Sequence, residues 1–297
     1  MKKIALILCL VLVASFVLSG CNNSDSIITL EAPPPAHGAQ QAPASAAAPA
    51  PLAVVGLGPG DASLLTPQAL AALEAADVVV GYTLYVRLIP EEVLQGKTVL
   101  STGMMAEMQR CEAAIDSALA GRPTAVVCSG DPGIYAMAGL VFELLEERGV
   151  AETLPVTVVP GIPAVCGAAA LLGAPLMHDF ACVSLSDLLT PWEVIERRAG
   201  KALEADFVLV LYNPRSKRRD WQLGAVMDRA KAILPPATPV GVVRDAYRPG
   251  QAVFCRTLST FDPAEVDMLS IVVIGNSATR LVGGRMVTPR GYMEKYR

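Results

Sequence analysis

The sequence predicts an α/β fold built in two halves, and three observations predict it. From Leu52 onward, short apolar runs of strand character alternate with helix-like segments. Three of the early runs end in glycine- or proline-rich turns: "GLGPGD", "CSGDPGIY" and "VVPGIPA". Hydrophobic residues make up 53% of the 297 residues and charged ones 18%, which is material for a sizeable core.

The elements follow in order. "LAVVGL" is a first strand. Thr66 then reads as an N-cap with Pro67 at the first helical position of "PQALAALEAA". "DVVVGY" and "KTVLST" are strands, and "MAEMQRCEAAIDSALAG" is an amphipathic helix closing on Gly121. "PTAVVC" enters the second turn, "MAGLVFELLEERG" is a helix ending at Gly149, and "PVTVVPGIPAVCGAAALLG" gives strand, turn and small-residue helix. A second group starts near His178. "FACVSLS" is a strand, and Thr190, Pro191 and Glu193 predict a capping box opening "TPWEVIERRAGKALEA". "DFVLVLYNP" and "TPVGVVRDA" flank a helix over Trp221–Ile233, and "QAVFCRTLS" and "LSIVVIGNS" complete the strands. The boundary between the halves is predicted near residues 173–178, giving units at 52–175 and 176–297.

The N-terminus has a different character. In "MKKIALILCLVLVASFVLSGC", two lysines precede an apolar stretch too short to span a membrane comfortably, then small residues and Cys21. Residues 1–21 have the layout of a secretory signal, and "LSGC" resembles a bacterial lipobox, which makes Cys21 the expected lipidation site and membrane tether. Residues 22–51, rich in Ala, Pro, Ser and Gln, predict a disordered linker that carries His37. The remaining cysteines tell another story. Cys111, Cys128, Cys166, Cys182 and Cys255 lie in apolar segments and never as C-x-x-C, which predicts buried reduced thiols of an intracellular protein. The leader points to the envelope and the body to the cytoplasm.

Composition removes whole classes of function. A net charge of −4 and 5% aromatic residues argue against nucleic-acid binding. Two histidines, His37 and His178, argue against a metal site built on imidazoles.

The three turns follow successive apolar strands, and in α/β sheets ligands sit outside such strand ends. The first turn fails the dinucleotide fingerprint G-x-G-x-x-G, because the third glycine position is Asp61. It fits the G-x-G-x-G of Rossmann-like methyltransferases. Against that, Pro59 rigidifies the turn and removes an N–H, and "DVVV" runs into Gly81 and Tyr82 without a ribose-binding acid.

Taken together, "VVGLGPGD", "CSGDPGIY" and "VVPGIPAVCGAAALLGAPL" resemble the tetrapyrrole methylases. "HDFACVSLSDLLTPWEVIERR", "DFVLVLYNPRSKRR", "TPVGVVRDAYRPGQ" and "MVTPRGY" narrow the resemblance to the precorrin-3B C(17)-methyltransferase type, the ring-contracting enzymes of corrin synthesis. The likeness covers residues 53–293 with the motifs in order. It implies two α/β domains with the active site in the cleft between them, a homodimer, S-adenosylmethionine as cofactor, and a tetrapyrrole substrate with or without cobalt. The implied cofactor contacts are Pro59; Ser129, Gly130, Asp131 and Ile134; Pro163 and Ala164; Asn213; and Ala246.

Asp131, His178 and Asp187 are the candidate proton-transfer groups, with Asp61 and Asp179 behind them. In "RSKRR", Arg215 and Arg218 are candidates for substrate carboxylates. The alternatives are a tetrapyrrole methylase acting at another carbon, and a non-catalytic envelope lipoprotein that binds a tetrapyrrole.

Overall fold

The computed structural model describes residues 28–30 and 48–297. The leader, with Cys21, and most of the expected linker, with His37, lie outside the described residues. The first sheet is formed by β1 (Ile28–Leu30), β2 (Leu52–Gly56), β3 (Val78–Tyr82), β4 (Thr98–Thr102), β5 (Thr124–Cys128) and β6 (Val156–Val159), in the order β1-β4-β3-β5-β2-β6. Strands β2 to β6 are parallel, and β1 pairs antiparallel with β4. That edge strand corrects one expectation. "ITL" is a β-branched and apolar stretch within the Ala/Pro-rich segment, and its backbone adds to the sheet instead of running as linker.

Period-two alternation splits the first core. Leu52, Val54, Val78, Val80 and Val126 face α4 (Glu107–Leu119) and α5 (Ala138–Glu147). Val55, Val79, Val99 and Val127 face α1 (Pro67–Ala75), α2 (Thr83–Val86) and α3 (Glu91–Leu94). The start of α1 is as predicted: Thr66 Oγ1 accepts the Ala69 N–H and Pro67 opens the helix.

After α6 (Ala164–Leu172) and the short β7 (Gly173–Ala174), a second, mixed sheet contains β8 (Phe180–Ser184), β9 (Val208–Tyr212), β10 (Pro239–Arg244), β11 (Ala252–Thr257) and β12 (Ser270–Ile274). Its order is β11-β10-β12-β9-β8. One face buries Leu209, Leu211, Val240, Val242 and Val272 under α7 (Trp192–Glu204) and α8 (Gln222–Ile233). The other buries Val208, Val210, Val243 and Val273 against Val165, Ala168 and Leu172 of α6. So α6, counted with the first half on sequence, packs on the second sheet. A helix of small residues reveals that it is buried but not which sheet buries it.

The capping box also changes. The N-cap of α7 is Pro191 in extended conformation, and no side chain caps the helix. A proline disfavours helical backbone in the residue before it, so Thr190 stays outside the helix. Glu193 still sits in the first turn, where an acid favours the helix dipole. The chain ends in β13 (Arg280–Val282), β14 (Arg285–Val287) and α9 (Tyr292–Lys295); β14 pairs with β7, a long-range contact the sequence pattern does not carry.

Candidate active site between the two sheets

Parallel strands send their following loops to one edge. In the first sheet, the turns after β2, β5 and β6 meet there. Gly58 and Gly130 exchange backbone hydrogen bonds in both directions, at 3.1 and 2.7 Å. Both have positive φ, +69° and +70°, where glycine carries no steric penalty. The third turn closes on the other two. A Cβ on Gly161 would stand 2.2 Å from the Gly130 carbonyl oxygen, and one on Gly56 would stand 2.6 Å from Gly161 N. Asp131 ties the second turn to the third: Oδ1 accepts the Gly133 N–H at 2.8 Å and Oδ2 the Gly161 N–H at 3.2 Å. It is not a helix cap, since α5 begins only at Ala138.

The second sheet brings the ends of β8, β9 and β10 to the same cleft. Asn213 Nδ2 donates to Ser184 Oγ at 3.0 Å. Two tyrosines stitch the halves together, with ring centroids 5.0 Å apart. Tyr135, in the second turn, donates to the Cys182 carbonyl at 2.9 Å, and Tyr212 accepts the Val165 N–H at the start of α6 at 2.9 Å. Burial pushes both phenols up, so both hydroxyls stay neutral.

Backbone strain gathers at this edge. Among the described residues, six non-glycine residues have positive φ, and five of them (Met105, Tyr135, Asn213, Asp245 and Tyr247) lie in loops at this edge. Such conformations persist only where the surroundings hold them, and they concentrate at functional sites.

Of the residues predicted on sequence, Pro59, Ser129, Gly130, Asp131, Ile134, Pro163 and Ala164 fall in or directly after the interlocked turns. Pro59 is buried, and Pro163 is the N-cap of α6. Asn213 and Ala246 follow β9 and β10. Asp187 follows β8; its Oδ2 accepts from Gln222 Nε2 at 2.8 Å, and Oδ1 lies 3.9 Å from Arg219 Nε.

His178 is placed elsewhere. It precedes β8, at the opposite edge of the sheet, across roughly 17 Å of strand. It lines a shallow depression of about 400 Å³ with Asp206 and Arg290, and its Nδ1 accepts the Asp179 N–H. The structure therefore withdraws His178, and with it Asp179, from the cleft. Asp61 is exposed and caps a single turn through Ser63.

The basic run is redistributed. Arg218 is exposed, and Arg215 donates to the Pro263 carbonyl at 3.3 Å. The buried member is Arg219, 7% exposed, whose Nη1 has no hydrogen-bond partner among the described residues; nor does Gln222 Oε1. Burial pulls the Arg219 guanidinium down and Asp187 opposes that pull.

Two further arginines escaped the sequence reading. Arg110 is 3% exposed and donates to Thr102 Oγ1, the Gly103 carbonyl and Met137 Sδ. Arg248 reaches from the loop after β10 to the first-half turns, donating to the Pro59 carbonyl and to Ser129 Oγ, each at 2.6 Å. No local signal could have found Arg248, whose partners are 189 and 119 residues away. The five cysteines among the described residues are free: Cys111 and Cys128 are buried as predicted, Cys182 and Cys255 are half-buried, and Cys166 is exposed on α6, against expectation.

Residues 51–262 match the family of tetrapyrrole (corrin/porphyrin) methylases. A Salmonella typhimurium protein named probable cobalt-factor III C(17)-methyltransferase is 48% identical over 241 residues, covering 81% of this chain and 99% of the relative. A Sinorhizobium protein named precorrin-3B C(17)-methyltransferase is 40% identical, covering 78% of this chain and 91% of its own. The crystal structure of the methyltransferase CobJ superposes with a TM-score of 0.77 at 39% identity, covering 81% of this chain and all of the other.

Proposed function

The chain belongs to the tetrapyrrole methylase family, and from that premise we propose that it methylates carbon 17 of a corrin precursor, with contraction of the macrocycle, using S-adenosylmethionine. The observation that carries the proposal is the interlocking of three turns opposite Asn213 and Ala246, on a chain that aligns with 99% of a relative named for this reaction. The higher identity to the cobalt-factor III relative favours the cobalt-bearing precursor as substrate over its metal-free counterpart.

The site suits the cofactor. A Cβ on Gly130 would fill the gap between the second and third turns, 3.6 Å from Ala164 N; glycine leaves that gap open. The groups around it are carbonyls, N–H groups, the Ser129 hydroxyl and the Asn213 carboxamide, with the Asp131 carboxylate and the Arg248 guanidinium beside them, a polar set suited to a nucleoside with an amino-acid arm. When bound, S-adenosylmethionine supplies a methyl group on an activated sulfonium. The protein's part is alignment, for which a rigid backbone cradle is well made. The tyrosine pair Tyr135 and Tyr212 fixes the second turn and the start of α6 relative to β8 and β9. At the acceptor side, Arg215 and Arg219 suit the acetate and propionate arms of a corrin precursor. Asp131 and Asp187 stand at this edge with Asp61 and Asp245, and we assign proton transfer to Asp131 and Asp187.

The proposal extends to assembly and location. Leu281, Val282, Tyr292 and Met293 expose apolar surface on β13 and α9, which supports a homodimer; light scattering on the purified protein tests it. A lipid on Cys21 would tether the domain to a membrane, and intact-mass analysis of the mature N-terminus tests that. The reaction is tested by anaerobic incubation with methyl-labelled S-adenosylmethionine and the cobalt-bearing or metal-free precursor. Label appearing at carbon 17 of a ring-contracted product supports the reading. Label at another carbon, or none, refutes it.

A further inference from the structure

The inference concerns Arg248 and rests on the donor site proposed above. Three arginines are neutralised by a carboxylate: Arg148 by Asp116, Arg229 by Glu204 and Arg256 by Glu265. Arg248 differs. Its Nε and Nη2 donate only to neutral oxygens, the Pro59 carbonyl and Ser129 Oγ, so its charge enters the cleft without a carboxylate against it among the described residues. The fit is close. A Cβ on Gly60 would stand 2.5 Å from Arg248 Cγ, so the "GPG" turn is shaped around this side chain. Arg248 stands on the loop after β10, held by Asp245 at φ +47° and Tyr247 at φ +58°, the latter with its N–H bonded to Gln251 Oε1. Burial pushes the Tyr85 phenol on the first half up, and the Arg248 charge opposes that push.

We propose that Arg248 serves both sites at once: its two hydrogen bonds clasp the first and second turns into a closed donor cradle, and its uncompensated charge draws a carboxylate arm of the acceptor to the same place. Two parallel N–H donors in a fixed fork are what a guanidinium offers and an ammonium does not, whereas both carry the charge. Lysine and methionine at this position therefore separate the two roles.

The test uses the full chain, S-adenosylhomocysteine as donor probe, and a stable porphyrin bearing acetate and propionate arms as acceptor probe. In R248K, S-adenosylhomocysteine affinity should fall about tenfold for the lost fork while porphyrin affinity stays within about twofold. In R248M, both should fall about tenfold, and the salt dependence of porphyrin binding should flatten. Hydrogen exchange of residues 57–61 and 129–135 in the ligand-free protein should quicken in both variants. Wild-type donor affinity in R248K, or unchanged exchange in both variants, overturns the clasp. Wild-type porphyrin affinity in R248M overturns the role of the charge. Should the unmodified protein bind no S-adenosylhomocysteine, the donor reading of the cleft fails instead, and the exchange measurement still decides the clasp.

Discussion

The two walls of the cleft are built from different material. The first-half wall is mostly backbone: the first two turns exchange N–H to carbonyl bonds, the third is held to them through the Asp131 carboxylate, and glycine stands where a Cβ would collide. The second-half wall is side chain: Tyr212 at the end of β9, and Asn213, Asp187, Arg219 and Arg248 on the loops, among which Asn213, Asp245 and Tyr247 are left-handed. The difference separates two tasks. A backbone cradle fixes one cofactor whatever the neighbouring side chains, whereas a side-chain wall can be fitted to one acceptor. The first wall should therefore tolerate no added atoms, and the second should respond to each lost polar contact in proportion.

The largest effect should come from breaking the first wall. Gly161→Ala places a Cβ against two backbone segments that cannot rotate away. We expect a loss of about 3 kcal/mol in a urea unfolding series, together with loss of donor binding by calorimetry. Next comes the seam between the walls. Tyr212→Phe leaves the Val165 N–H without its acceptor, at an expected cost of about 1.5 kcal/mol by the same measurement. Asn213 gives a finer test, because its φ of +48° can be held apart from its side chain. Both Asn213→Ala and Asn213→Gly lose the bond to Ser184, but only alanine strains the backbone, so the glycine variant should be the more stable by about 1 kcal/mol.

The smallest effect concerns buried thiols, and it too divides the halves. Burial pushes Cys128 up to about 11 and Cys111 up to about 12, from an ordinary value of 9.0; both sit in the first-half core. Their stabilising contribution is complete below the unfolded thiol value and is lost as pH rises through the folded values. Unfolding free energy should therefore drop by about 0.7 kcal/mol between pH 8 and pH 9, and less once both are replaced by alanine. Alkylation at pH 8 read by mass spectrometry should mark the exposed Cys166 first and spare Cys111 and Cys128.

The same contrast explains how much of the molecule could be read in advance. Glycine and proline punctuate the sequence, so the first wall was legible: each turn follows its strand as predicted, and Thr66 and Pro67 open α1. The second wall depends on contacts between distant residues. Arg248 is an ordinary arginine until Pro59 lies beside it, and nothing within "RSKRR" distinguishes Arg219 as the buried member. His178 seemed to stand at the junction of the halves, yet a strand carries it to the far edge of the sheet. The partner of α6 was hidden for a related reason, since small apolar residues suit either sheet. The β7–β14 pairing joins residues more than 100 positions apart, beyond any local pattern.

On the proposed reading, the interlocked turns and the loops after β9 and β10 together hold the methyl donor. Co-crystallisation with S-adenosylhomocysteine tests it most directly. The ligand should lie against residues 57–61, 129–135 and 160–164, with Asn213 and Ala246 on its other side. A ligand seated instead in the depression beside His178 and Arg290, or touching only one of the two walls, would contradict it.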